Sequence, residues 1–116
     1  KLAQSQKLSD CCHDSTYEIC KNLENSQAFT VLCPQAFLGQ YYHSFSVYQN
    51  QCIDLNYNCV LEKEMYFSLL KPEVIEIIDH INLDKELKNY EYSSGKLLFS
   101  ALDNQIRSRL NNKKRN

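Results

Sequence analysis

Two stretches of sequence decide the predicted fold: Cys12–Cys20, which reads CHDSTYEIC, and Cys52–Cys59, which reads CIDLNYNC. Each stretch opens and closes with a cysteine, has an aspartate at its third position and has a tyrosine at its sixth. The match continues further along the chain, where Phe29–Phe37 (FTVLCPQAF) and Phe67–Ile75 (FSLLKPEVI) share Phe, Leu and Pro. An ordered series of matches, interrupted only by single-residue gaps, is typical of a duplicated unit. We therefore predict two diverged internal repeats.

The repeats, over residues 11–50 and 51–92, are each expected to form a helix-turn-helix. The chain has only two glycines and two prolines, whereas a fold rich in hairpins needs turn residues often. The prolines that the two repeats share, Pro34 and Pro72, suit the first turn of the second helix in each unit, because proline has a fixed φ and no N–H.

The C-terminal part has apolar residues at spacings of three and four, which predicts an amphipathic helix over residues 94–110. Residues 111–116 are basic and are expected to be a disordered tail. The predicted fold class is therefore all-α, with residues 1–116 forming a single compact domain. Its architecture would be a disulfide-stapled helical bundle of two helix-turn-helix repeats followed by the C-terminal helix.

An even number of cysteines in a short chain predicts disulfides in an oxidising compartment. There are six: Cys11, Cys12, Cys20, Cys33, Cys52 and Cys59. If both cysteines of a repeat lie on one helix, they are about 11 Å apart along its axis, which is too far for a disulfide, so the two repeats must be joined to each other. Duplicated units are often related by a two-fold axis, which favours antiparallel packing of the two helices. This packing gives the disulfides Cys12–Cys59 and Cys20–Cys52, and Cys11 and Cys33 then pair with each other by exclusion. Parallel packing gives Cys12–Cys52 and Cys20–Cys59.

The repeated tyrosines, Tyr17 and Tyr57, are interpreted as structural residues. A tyrosine between two stapled positions is expected to be buried or half-buried, with its hydroxyl group bonded to a partner. We therefore assign them no role in ligand binding.

The segment Cys11–Asp14 (CCHD) is similar to the Cys-Cys-x-x-His-Asp helix of secreted phospholipases A2, but the histidine follows the cysteines directly and no glycine-rich calcium loop is present. Zinc ligands prefer pairs spaced by two to four residues, a pattern that Cys11, Cys12, His13 and Cys20 lack. His43 and His80 are interpreted as core or partly exposed histidines. We therefore predict no catalytic residues, no metal site and no cofactor.

The paired units, Cys12-(x4)-Tyr17-x-x-Cys20 and Cys52-(x4)-Tyr57-x-Cys59, resemble the bicycle proteins of aphids. That family is named for its paired cysteine–tyrosine–cysteine motifs and is abundant in the salivary glands of gall-forming species. The resemblance implies a secreted effector with a signal peptide in its precursor. It also implies action by binding host plant components and altering host development, for example in gall formation, without catalysis.

Two alternatives come from other classes. One is a twin-cysteine helical-hairpin protein of the mitochondrial intermembrane space, although its usual nine-residue spacing differs from the seven and six residues here. The other is a diverged secreted phospholipase A2-like venom or salivary protein. A signal peptide in the precursor and calcium-dependent lipid hydrolysis are the observations that separate them.

Charge and hydropathy restrict the partners. The chain has a formal net charge of -1 and opens on Lys1, and we expect a mature secreted form whose leader has been removed. No apolar run reaches the roughly 20 residues of a membrane-spanning helix. The basic residues after Asp103 have no aromatic residues among them, so no nucleic-acid partner is expected. The predicted partner is an unidentified host protein, and the sequence leaves the oligomeric state open.

Overall fold

The computed structural model describes residues 12–34, 39–90 and 95–115, with side chains through Asn112. Its elements, in chain order, are α1 (Cys12–Asn22), β1 (Gln27–Cys33), β2 (Tyr41–Tyr48), β3 (Gln51–Asp54), β4 (Cys59–Glu62), α2 (Lys63–Leu70), β5 (Glu73–Asp79), a 3-10 turn (His80–Asn82), α3 (Leu83–Leu87) and α4 (Lys96–Arg115). The all-α prediction is therefore wrong, because the centre of the fold is a β-sheet.

The five strands form one antiparallel sheet in the order β4-β3-β2-β1-β5. Strands β1 to β4 follow one another as a meander, and β5 returns to pair with the free edge of β1. The β2–β3 connection is a two-residue hairpin in which Gln49 and Asn50 both have positive φ, of 49° and 64°. That backbone conformation is the one whose twist matches a tight hairpin.

The predicted repeats do not adopt the same structure. Cys12–Cys20 lies on helix α1, whereas Cys52–Cys59 spans the β3–β4 hairpin. The second match also fails, because Phe29–Cys33 lies on β1 and Phe67–Leu70 lies on α2. The two helix-turn-helix units are thus a wrong prediction, and sequence similarity between the copies does not extend to secondary structure.

Pro72 was predicted to begin a helix, but it follows the end of one. Lys71 ends α2 in the left-handed conformation, with φ 48° and ψ 52°, and its N–H bonds to the carbonyl of Phe67 at 2.8 Å. Proline is common directly after such a helix end because it cannot continue the helix. The strand β5 then begins at Glu73.

The helix predicted for residues 94–110 corresponds in position to α4, which begins at Lys96 and continues through Arg115. The backbone of residues 111–115 is thus helical, in contrast to the disordered tail predicted for this segment. Asn116 lies outside the described residues.

The sheet packs on both faces, because alternate residues of a strand point to opposite sides. On one face, helix α2 covers a cluster centred on Phe29, Phe45 and Tyr66. On the other face, α1, α3 and α4 cover a cluster that includes Cys20, Ala28, Ile78, Leu83, Leu87 and Leu97. The central strands β1 and β2 are therefore buried on both sides.

Candidate functional site

The candidate site lies where the start of α1 meets the side of β2. Cys12 is the first described residue of α1 and is only 7% exposed. Strand β3 pairs with β2 only at Ser46, Val47 and Tyr48, so the earlier part of β2 has no strand partner on that side in the described chain. The Cys12 thiol lies beside two imidazoles there, those of His13 and His43.

His43 is held by a buried carboxylate. Its Nε2 lies 2.7 Å from Oδ2 of Asp54, and both side chains are almost fully buried. Because a carboxylate only accepts hydrogen bonds, Nε2 carries the proton and donates it, which leaves Nδ1 as the ring nitrogen available to Cys12. The arrangement thus runs Cys12, His43, Asp54, in chain order and from three different elements.

Asp54 is itself held by two further donors. The hydroxyl of Tyr66, from α2, donates to the same Oδ2, and the backbone N–H of Tyr57 donates to Oδ1 at 3.0 Å. Burial raises the pKa of the Asp54 carboxyl. The hydrogen bonds from His43 and Tyr66, together with the charge of His43, lower that pKa by more than burial raises it, so the net shift is downward. Asp54 is therefore an ionised group with a fixed orientation.

Charge separation follows between the thiol and the imidazole. Burial raises the pKa of Cys12, but hydrogen bonding to His13 and His43 and their positive charge lower it to about 6. Burial lowers the pKa of His43, but hydrogen bonding to Asp54 and Cys12 and their charge raise it to about 9. These shifts favour a thiolate and an imidazolium at neutral pH.

The second imidazole is also fixed in place. His13 Nδ1 lies 2.5 Å from the hydroxyl of Ser44, and that hydroxyl lies 3.1 Å from the hydroxyl of Thr30. All three side chains are buried. His13 therefore packs on one face of the sheet and His43 lies on the other face. Cys12 lies between the two imidazoles, at the side of β2.

An aromatic side chain covers the His43–Asp54 pair. The ring of Tyr57 has its centroid 5.2 Å from that of His43, and its hydroxyl lies 2.7 Å from the hydroxyl of Tyr41. Tyr57 remains 47% exposed. The ring thus lies against His43, whose ion pair with Asp54 is almost fully buried, and an ion pair is stronger where water is excluded.

The other tyrosine of the predicted pair has a different environment. Tyr17 is half-buried on α1 and donates its hydroxyl to Oδ1 of Asp84 at 2.9 Å. Both tyrosines therefore have hydroxyl partners, but only Tyr57 lies at the candidate site.

The predicted disulfides are not formed among the described cysteines, since Cys12, Cys20, Cys33, Cys52 and Cys59 are all unbonded thiols. The predicted pairings Cys12–Cys59 and Cys20–Cys52 require Cys52 and Cys59 to share a helix, whereas these residues lie on the neighbouring strands β3 and β4. Cys11, and with it the pair Cys11–Cys33, lies outside the described residues.

The other three buried cysteines belong to the apolar clusters on the two faces of the sheet. Cys20 packs among the apolar residues beneath α1, α3 and α4, while Cys33 and Cys52 pack in the cluster beneath α2. Burial raises the pKa of all three thiols. Within the described ranges no group of three or more His, Cys, Asp or Glu residues could hold a metal ion.

Sequence reasoning missed this site because it assigned Cys12 to a disulfide and His43 to the core. One signal was available: His43 alternates with Phe45 and Val47, and Asp54 alternates with Cys52, so each polar residue shares one face of its strand with apolar residues. A buried histidine and a buried aspartate, downstream of a cysteine, are the composition of a nucleophilic site.

The described helices include none that is long and apolar enough to cross a membrane. Comparison with protein-family models, with characterised proteins and with solved structures finds no match to this chain.

Proposed function

We propose that the protein is a cysteine-dependent acyl-transfer enzyme. Cys12 would be the nucleophile, His43 the group that moves the proton, and Asp54 the residue that orients His43. The observation that carries this proposal is the Nε2–Oδ2 contact of 2.7 Å between His43 and Asp54, with the Cys12 thiol close enough to His43 for that imidazole to lower its pKa.

The first step would be attack of the Cys12 thiolate on the carbonyl carbon of an ester, thioester or amide. A bond forms between sulfur and carbon, and the carbonyl oxygen takes the negative charge. His43 then gives its proton to the leaving oxygen, sulfur or nitrogen as the bond to carbon breaks.

The second step would release the acyl group. Neutral His43 takes a proton from water or from an amine, which attacks the thioester carbon, and Cys12 leaves as a thiolate. With water the overall reaction is hydrolysis, and with an amine it is acyl transfer. Asp54 keeps its charge throughout and stabilises the imidazolium.

A buried histidine–aspartate pair can also be purely structural, since buried charges are normally paired. Two features favour the catalytic interpretation. A structural pair has no need of a thiol beside it, and Cys12 has two imidazoles beside it, those of His43 and of the adjacent His13. Perturbed pKa values in a connected group of this kind are typical of functional sites.

Secretion and action in a host plant, which the resemblance to bicycle proteins implies, stay predictions. The expectation that the protein acts without catalysis also stays a prediction and is the competing hypothesis. An acyl-transfer activity requires neither a particular compartment nor a particular host, so the two questions separate experimentally.

The test is to trap the acyl-enzyme. We expect brief incubation with 4-nitrophenyl acetate to add one acetyl group to the intact protein, located on Cys12 by peptide mass mapping and removed by neutral hydroxylamine, as expected of a thioester. The variant Cys12→Ala should abolish the adduct, and His43→Gln should slow its formation. The matched control is Cys59→Ser, a partly buried thiol on β4 whose loss should leave acetylation unchanged.

Acetylation distributed equally over Cys12 and Cys59 would contradict the proposal. So would an unchanged rate in His43→Gln when circular dichroism shows that the variant is folded. Either result would favour the non-catalytic alternative.

A further inference from the structure

A groove runs beside the candidate site, between the outer side of α1 and the segment that follows β3. Its volume is about 500 Å³ and its described lining consists of Asp14, Ser15, Glu18, Ile19, Asn22 and Leu55. Asp14 lies two residues after Cys12, and Leu55 directly follows Asp54. Ser15 lies three residues after Cys12, about one turn along α1, so the groove begins next to two of the three elements that form the site.

The lining combines apolar surface with negative charge. Ile19 and Leu55 lie on opposite walls, and Leu55 is 43% exposed although it is a large apolar residue. Asp14 and Glu18 supply two carboxylates, and none of the six described lining residues is basic. Glu18 is exposed, whereas Asp14 accepts a hydrogen bond from the N–H of Gly95 at 3.0 Å.

Lys21 and Lys96 place their ammonium groups 5.8 and 5.2 Å from the centre of the Tyr17 ring. Tyr17 is not part of the groove lining. Among the described residues, neither Asp14 nor Glu18 forms an ion pair.

We infer that this groove is a specificity site that binds a lysine or arginine side chain of the acyl donor. This inference rests on the proposed acyl-transfer function. Lysine and arginine have an apolar stem and a cationic end, which match the apolar walls and the carboxylates respectively. A purely aliphatic side chain would leave Glu18 without a partner, and an acidic one would be repelled.

The experiment compares chloromethyl ketones of lysine and norleucine, which alkylate a thiolate by forming a bond to sulfur as chloride leaves. Norleucine has the unbranched stem of lysine without the ammonium group. We expect Cys12 to react about five-fold faster with the lysine compound, which is the upper range for one exposed charge pair. About 0.5 M NaCl should reduce this preference, because it screens exposed charges.

The decisive variant is Glu18→Gln, which removes one charge at nearly constant volume on an exposed helical position. The lysine preference should fall about three-fold, within the range of a single exposed ion pair. The matched control is Glu64→Gln, an exposed glutamate on α2 at the other face of the sheet, which should keep the preference. Reaction with neutral iodoacetamide should be the same in all three proteins.

The outcomes separate the two proposals. Equal rates for both ketones, together with His43-dependent labelling of Cys12 by iodoacetamide, would overturn the specificity site and leave the acyl-transfer proposal intact. The specificity site would also be overturned if Glu18→Gln and Glu64→Gln reduce the lysine preference equally. If Cys12 shows no His43-dependent reactivity with any of the reagents, the acyl-transfer proposal fails, and the specificity site fails with it.

Discussion

The substitution Asp54→Asn tests the site most directly, because Asp54 accepts three hydrogen bonds. In either orientation the asparagine amide would turn its NH₂ group toward a donor: toward His43 and Tyr66 at one position, or toward the Tyr57 N–H at the other. The negative charge that raises the pKa of His43 would also be lost. Burial, which lowers that pKa, would then dominate and leave His43 neutral near pH 7.

The expected effect on Cys12 follows from this loss. A hydrogen bond to a charged group contributes about 1.5–3 kcal/mol, and one pKa unit corresponds to about 1.4 kcal/mol. With His43 neutral, the thiolate loses an imidazolium partner, so its pKa should rise by about one to two units. The shift is upward because the imidazolium stabilises the thiolate and not the thiol.

The assay is the rate of Cys12 alkylation by iodoacetamide as a function of pH, followed by peptide mass spectrometry. In the wild-type protein the rate should rise with a midpoint at about pH 6 and change again as His43 loses its proton at about pH 9. These midpoints belong to the coupled pair. In Asp54→Asn the first midpoint should move to higher pH.

A wild-type midpoint in the range of an ordinary cysteine, about 8.5, would refute the reasoning. So would a midpoint that Asp54→Asn leaves in place. Removal of one partner of a buried ion pair costs about 3–5 kcal/mol, so the variant can be too unstable to assay. His43→Gln then serves as the second variant, and it should raise the same midpoint.

Two further predictions concern stability. Tyr66→Phe removes one of the three donors to Asp54 and should lower the free energy of unfolding in urea by about 1–3 kcal/mol. It should move the Cys12 midpoint less than Asp54→Asn does, and an equal movement would contradict the view that His43 is the main partner of Asp54. Phe45→Ala should cost about 3–5 kcal/mol, because this fully buried ring contacts Phe29 and Tyr66 on the face covered by α2. Val60→Ala, an exposed position on β4, is its control and should stay within about 0.5 kcal/mol of the wild type.

Some local features could be predicted from the sequence. Apolar residues at helical spacing indicated a helix near the C-terminus, where α4 lies, and the segment Cys12–Cys20 is helical as expected. These segments carry a helical pattern of their own. The helix predicted for Cys52–Cys59 is wrong, because a chain with few glycines can still form hairpins. Asn50 and Asn58 adopt positive φ in place of glycine at the turns of β2–β3 and β3–β4.

The sequence by itself determined that Cys12–Cys20 and the C-terminal segment are helical, and which positions carry thiol, imidazole and carboxylate groups. It did not determine that His43 is buried by alternation, because Ser44 and Ser46, on the other face of β2, are buried as well. Only the tertiary structure decided that Cys12, 31 residues before His43, lies beside it. The physical reason is that a thiol acquires a partner and a shifted pKa through its neighbours in space, and the packing of α1 against β2 brings Cys12 to His43 across this separation in sequence. The cysteine that the pattern of repeats assigned to a staple is, in the folded chain, the most acidic of the described thiols.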